Sequence, residues 1–383
     1  MFELKGKYGN AIIFADNVEE TAYSQVVKLV NHPISKGANT RIMPDVHTGI
    51  GCVIGYTAKL TDIVIPNLIG VDIGCGVLTF CFKDMKLTKK DFLYMDKIIK
   101  ENIPSGNRIR KSLSLEASNV CEQYLNIDFA LFLKSLKNTA KRTSQNINYA
   151  LFSLGSLGSG NHFIEIEKTK NAICFSVHSG SRKFGLNIAN YHQKIAKKLT
   201  KPSLDIPSGM EFLKKPELFD YMEDMKVAQT YAKINRYTIL KTIIGLFTSQ
   251  KEDYIIESIH NYINFDDKVV RKGAISAHKN EKVVIPLDMS KGMIIGEGLG
   301  NKEWNCSAPH GAGRKMSRRQ AKNSLSLEEF KKRMKNVYSS CINTQTLDES
   351  PMAYKDSGYI LKYLKETVKI NEIAQPIYNF KAS

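Results

Sequence analysis

Five histidines set among glycine, serine and amide residues constrain this chain more than any other feature. They stand in DVHTG, SGNHF, VHSGS, IHNY and PHGAG, as His47, His162, His178, His260 and His310. A flanking glycine lets a loop carry an imidazole close to a metal or a phosphate. One histidine in such a setting is more often structural, but five in similar settings are hard to assign to packing. The informative blocks run from residue 43 to residue 381 and must converge in space to act together. That favours one large domain, 1–383, over the two or three that 383 residues allow.

The segments between the histidines mix strand and helix signals. CVIGYTAKL (52–60), GVLTFCF (76–82), HFIEIE (162–167) and AICFSVH (172–178) read as strands bounded by turns. KVVIPLDM (282–289) and GMIIGEG (292–298) read as a strand pair. Thr88 and Asp91 form a capping-box pattern opening a helix. Residues 105–150 read as helix or loop, and 216–247 as one long helix or two. Ser326 and Glu329 open a last helix reaching to about Ser340. Without regular βαβ alternation the pattern is α+β, with mixed sheets and peripheral helices.

Composition narrows the partners. Lys plus Arg is 55 against 38 Asp plus Glu, a formal charge of +17. Such a surface suits a polyanion, because it releases the counterions of phosphates. No run approaches the ~20 apolar residues of a membrane span, and MFELKGKYGN lacks the apolar core of a secretory signal. The seven cysteines are scattered, without a CxxC, so neither a disulfide framework nor a zinc ribbon is expected. A reducing, cytoplasmic setting is the default.

Chemistry concentrates in a few blocks. VDIGCG (71–76) puts Asp72 and Cys75 on one glycine turn, where a carboxylate and a thiolate could share a metal site. With imidazoles from His162, His178 and His260 this donor set suits a borderline divalent ion, and the carboxylate widens it to manganese. Two such ions close together suit phosphoryl chemistry. Arg182, in HSGSRKFG, is placed to hold a phosphate. His310, followed by Arg314, Arg318 and Arg319, could be a nucleophile toward phosphorus. Taken singly each block is weak; a buried cysteine in a strand turn, or a basic turn leading into a helix, would look the same.

Taken together they resemble the RtcB family of RNA ligases. MPDVHTGIG (43–51), GVDIGCG (70–76), GSGNHF (158–163), VHSGSR (177–182), HNY (260–262), RKGA (271–274), SAPHGAGR (307–314) and AYKD (353–356) occur in that family's order over nearly the whole chain. The resemblance implies one large mixed domain of that family's own type. It implies joining of RNA ends bearing a 3′-phosphate or 2′,3′-cyclic phosphate to a 5′-hydroxyl, with GTP and two manganese ions, through a histidine–GMP adduct. By motif, Asp72, Cys75, His162, His178 and His260 match the metal ligands, with Cys75 as bridge, and His310 matches the guanylylated nucleophile. Asn161, Glu165, Gly311, Tyr354 and Lys381 match nucleotide contacts, Glu165 toward guanine. Arg182 and Arg314 match phosphate or RNA contacts, beside Asp45 and His47 in a signature near the active site. The resemblance further implies a monomer acting on tRNA or rRNA fragments, with an archease-type activator as a candidate partner.

One segment departs from the family. A stretch like IPGSMG, two of whose serines touch the nucleotide, is IPLDMSKGMIIGEG (285–298) here, so that Asp288 and Met293 stand for the serines. Asp288 is then a candidate acceptor for a guanine edge. The competing readings are a two-metal phosphohydrolase or nuclease built from the same ligands, and a non-catalytic RNA-binding protein. The first needs no histidine nucleophile or nucleotide pocket. The second explains the charge but not the cysteine, histidine and aspartate in glycine turns.

Overall fold

Alternating apolar strands and one long apolar helix build the frame in a computed structural model, which describes residues 1–200 and 205–382. The first sheet runs β1 (Phe2–Lys5), β2 (Asn10–Ile13), β3 (Thr40–His47), β4 (Ile54–Lys59), β10 (Val269–Lys272), β9 (Asn261–Asn264); only the β2–β3 pair is parallel. The second runs β12 (Lys282–Pro286), β13 (Met293–Gly298), β15 (Val368–Lys381), β6 (Phe163–Lys168), β7 (Ala172–Ser179), β5 (Gly76–Lys83), β8 (Tyr254–Ile259), antiparallel throughout. A short pair, β11 (Ala274–Ser276) and β14 (Ser307–Pro309), ties the two sheets together near the site. The α+β expectation holds.

The seven-stranded sheet curls until its edge strands meet: the Val284 N–H on β12 donates to Ser258 Oγ on β8 at 3.0 Å. Period-two alternation then separates an inside from an outside. Val77 and Cys81, Phe163, Cys174, Ile256, Val284 and Met293 pack inside, while Leu78, Phe80, Phe82, Ile164, Ile166, Phe175 and Val177 join the main core outside. With both faces covered, β5 is a nearly continuous apolar run. The main core draws residues from Ala11 to Phe380, as blocks spread over the whole chain require.

The helices are α1 (Glu20–Val30), α2 (Lys89–Asn102), α3 (Leu115–Val120), α4 (Phe129–Arg142), α5 (Ile147–Ser153), α6 (Arg182–Leu199), α7 (Glu217–Phe247), α8 (Arg318–Ser324), α9 (Leu327–Arg333) and α10 (Ser357–Leu364). The Thr88–Asp91 capping box opens α2. Residues 216–247 form one helix, not two. From Ala228 to Ile244 α7 is buried on nearly every side, which its lack of a polar face already allowed. None of the described helices is long and apolar enough to cross a membrane.

Two expectations change. The helix opened by Ser326 stops at Arg333, short of Ser340, because Tyr338 pairs with β15: its N–H donates to the Ile377 carbonyl at 3.0 Å. Cys81 and Cys174 form a disulfide, with Cα atoms 4.1 Å apart. They face each other in the β5–β7 register, a proximity across 93 residues that spacing along the chain cannot show.

Candidate active site

The site opens at the mouth of the curled sheet where β5 and β6 begin and β7 and β8 end. The turn before β5 folds so that the Cys75 N–H donates to the Asp72 carbonyl at 3.2 Å, which sets both side chains on one side. The His260 N–H, just past β8, donates to the Cys75 carbonyl at 2.9 Å. His178 ends β7 and His162 precedes β6. Close approach requires glycine here: a Cβ on Gly180 would lie 2.2 Å from Asp72 Oδ1.

Two donor triads result, Asp72–Cys75–His162 and Cys75–His178–His260, sharing the Cys75 thiol. Cys75 Sγ is 3.5 Å from His162 Nε2 and 3.2 Å from His178 Nε2. His162 Nε2 lies 2.9 Å from Asp72 Oδ2, and the Nε2 atoms of His178 and His260 face each other at 3.2 Å. The backbone selects the His178 tautomer, whose Nδ1 donates to the Asn161 carbonyl at 3.1 Å; Nδ1 of His162 lies 2.9 Å from the Leu157 carbonyl and 3.0 Å from Arg182 NH1. Nε2 of His178 therefore turns a lone pair toward Cys75 and His260, an arrangement suited to a shared cation.

Burial holds His178 and His260 well below the usual imidazole range, so both stay neutral, as ligands must be. Burial, then Asp72, pushes the Cys75 thiol up; a bound divalent ion would reverse this by taking the thiolate. Burial works to raise Asp72, yet its bond from His162 and the nearby Arg182 hold it below the carboxylate range. The two donor triads, with Cys75 common to both, fit borderline divalent ions.

His310 follows β14 and faces His260, with ring centroids 4.9 Å apart. Its Nδ1 donates to Asp45 Oδ2 at 2.7 Å, and its main-chain N–H reaches the same oxygen at 3.2 Å. Asp45, on β3, is fully buried, and Nε2 of His310 has no hydrogen-bond partner among the described residues. Asp45 Oδ2 thus holds His310 through two hydrogen bonds, from a fully buried position on β3. His47 stands over the Asp45 carbonyl at 3.0 Å; burial lowers its pKa to about 4. Gly273, at φ +63°, lets the chain pass beneath His310; a Cβ there would sit 2.1 Å from Ile54 Cγ2 and 3.3 Å from His310 Cε1.

A cleft of about 130 Å³ extends from His178, His260 and His310. Asn161, Glu165, Asp288, Gly311, Arg314, Tyr354 and Lys381 all line it, as do Arg318 and Asn379. Glu165 is buried and accepts from Asn379 Nδ2 at 2.6 Å; burial pushes its pKa up to about 8, against that bond and Lys381. Arg182 opens instead onto a neighbouring depression with Asp72 and Arg108, its NH1 3.0 Å from His162 Nδ1.

The divergent segment separates. Asp288 lines the cleft, but its Oδ1 caps its own turn, accepting from Ser290 N–H at 2.9 Å and Ser290 Oγ at 2.6 Å. Met293 does not reach the cleft. It is fully buried inside the curled sheet, with Sδ 3.7 Å from Ser176 Oγ. The two positions lie on opposite sides of the β12–β13 turn, so a motif offset cannot make both nucleotide contacts.

Three positions escaped the sequence reading. Glu349 is buried and takes Lys381 Nζ at 2.9 Å, Tyr354 OH at 2.7 Å, Arg318 at 2.5 Å and Arg314 at 3.2 Å. Burial opposes its charge, yet Lys381 and Arg318 hold its pKa down to about 2. On α7, Arg236 NH1 donates to the carbonyls of Gly74 at 2.6 Å and Ser179 at 2.9 Å, clamping the two loops that carry Cys75 and His178. Its neighbour Asn235 binds Gly155 N–H, Ser156 N–H and the Gly180 carbonyl. A polar pair within the apolar half of α7 was the available signal.

The model of the family described as tRNA-splicing ligase RtcB matches residues 25–382. The RNA-splicing ligase RtcB of Escherichia coli K12 is 31% identical, over 92% of each chain. The chain belongs to the RtcB family. Another relative, the tRNA-splicing ligase RtcB of Nanoarchaeum equitans, is 26% identical over 94% of this chain and 89% of its own. The RtcB motifs seen in the sequence are the segments that meet at the cleft.

Proposed function

We propose that this RtcB-family chain is an RNA ligase, one domain over 1–383, that joins a 3′-phosphate or 2′,3′-cyclic phosphate end to a 5′-hydroxyl. GTP is consumed and His310 carries the guanylyl group. The observation that supports this most directly is the buried Asp45 carboxylate on Nδ1 of His310, beside a cleft lined by Asn161, Glu165, Tyr354 and Lys381. A hydrolase would need neither.

His310 Nε2 attacks the α-phosphorus of GTP: the N–P bond forms, the bond to the bridging oxygen breaks and pyrophosphate leaves. Asp45 keeps the Nδ1 hydrogen and offsets the positive charge on the substituted ring. An oxygen of the RNA 3′-phosphate then takes the guanylyl group, breaking the N–P bond and restoring neutral His310. The RNA 5′-hydroxyl attacks the activated 3′-phosphorus, loses its proton and expels GMP. Asp72, Cys75, His162, His178 and His260 would hold two manganese ions, which supply charge neutralisation for the triphosphate and pyrophosphate. Lys381, Arg314 and Tyr354 line the nucleotide wall, with Asn161 and Glu165 at the base. Glu165, neutral near pH 7, offers both a donor and an acceptor to a base edge. The substrates would be tRNA or rRNA fragments, in the cytoplasm, with an archease-type activator as a candidate partner class.

The test is incubation with manganese and α-labelled GTP, with ATP in parallel, followed by a denaturing gel. An acid-labile, alkali-stable adduct with GTP alone, absent in His310→Ala, supports the reading. No adduct in a metal-loaded preparation, with hydrolytic opening of cyclic-phosphate RNA ends to the phosphomonoester, favours the two-metal phosphohydrolase.

A further inference from the structure

We propose that the body of the RNA is held in a second, lysine-lined groove at the end of the curled sheet opposite the catalytic mouth. The identity of the polyanion rests on the RNA-ligase reading above. The groove forms where β5 and β6 end and the segment after α9 crosses them. Lys83 ends β5, Lys168 ends β6, Lys170 turns toward β7, Lys86 and Lys89 lead into α2, and Lys335 follows α9. All six are exposed, and among the described residues none has a carboxylate within ion-pair distance.

Such convergence is uncommon for a merely solvated face. Three separate segments bring like charges to one concavity, where they repel unless an anion sits between them. One carboxylate, Asp84, shares the lining. The nearby Asp253 and Glu372 accept from the main-chain N–H groups of Lys83 and Lys170, not from lysine side chains. The groove encloses about 1360 Å³, more than a mononucleotide needs. Phe92 and Tyr338 lie in it with ring centroids 6.0 Å apart, an apolar surface on which bases can rest. Lysine point charges read backbone phosphate without sequence preference. The 8 residues of β5, at ~3.3 Å per residue, put the groove about 25 Å from the catalytic mouth. The cleft then takes the RNA end while the groove takes backbone farther along the same molecule.

The test uses the full chain and a stem-loop RNA carrying a 3′-phosphate, with affinity read by fluorescence anisotropy across a salt series. K86E/K170E/K335E should weaken binding at least ~10-fold and flatten the log–log salt slope by roughly 0.7–0.9 for each phosphate no longer neutralised. The neutral K86Q/K170Q/K335Q should show the same change in smaller measure. A matched charge reversal on α1 and α4, K28E/K134E/K137E, should leave affinity near wild type. Wild-type affinity and slope in both groove variants overturn the proposal, as does equal weakening by the α1/α4 control. Labelling by α-labelled GTP, read separately, should be unchanged in the groove variants. Absence of any adduct would therefore count against the ligase reading and leave groove-dependent binding standing.

Discussion

On one wall of the cleft, His162 and His178 set their Nδ1 atoms against main-chain carbonyls, and their Nε2 atoms converge on Cys75. On the other, Lys381, Tyr354, Arg314 and Arg318 gather around the single carboxylate of Glu349. The first wall is held largely by backbone and crowds metal-type donor atoms together, an arrangement suited to cations. The second is held by side chains and is already satisfied within the protein. Metal-type geometry is thus built into strand ends and turns, whereas nucleotide-type geometry depends on an ionic network. The segment that departs from the family, at Asp288, lies on the second wall.

The comparison breaks most visibly at the shared thiol and at the proposed nucleophile, His310. Cys75→Ala should drop bound manganese, measured by atomic absorption, from two per chain to one or fewer. Ligation should fall beyond the 10–100-fold typical of losing a group that merely supports a ligand. Two ions retained would show that the triads do not share Cys75. Asp45→Asn should leave metal content intact but slow guanylylation of His310 by roughly 10²–10⁴-fold, the scale on which an orienting carboxylate acts. An unchanged rate would make Asp45 a packing residue.

Stability effects come next. Arg236→Met strands Glu257 and two loop carbonyls, and should cost about 3–5 kcal/mol, seen as a lower thermal midpoint together with weakened metal binding. Glu349 tests the second wall through pH. Its folded pKa, about 2, lies below the ordinary 4.5, so its contribution is present above pH 4.5 and lost as pH falls toward 2. The stability gap between wild type and Glu349→Gln, up to about 3 kcal/mol, should be flat above pH 5 and close across that window. A pH-independent gap would mean that Glu349 acts by shape alone. The smallest effect belongs to Asp288→Ser: because Oδ1 caps its own turn, the GTP-to-ATP labelling ratio should shift less than ~10-fold. A larger shift would place Asp288 on the base itself.

Much of this was legible along the chain. The Thr88–Asp91 cap, the alternation of β5 to β7 and the histidine turns are local patterns, set by helix and strand periods and by glycine's freedom at turns. The five metal-type donors and His310 could be named because their residue chemistry is unusual for glycine loops. Tertiary structure alone decided who meets whom. Asp45 reaches His310 across 265 residues, Cys81 opposes Cys174 across 93, and Met293 turns into the sheet while Asp288 faces the cleft. Those outcomes follow from strand register and from the curl that brings β8 against β12. A one-residue slip would exchange inside for outside, and no composition or local spacing encodes it.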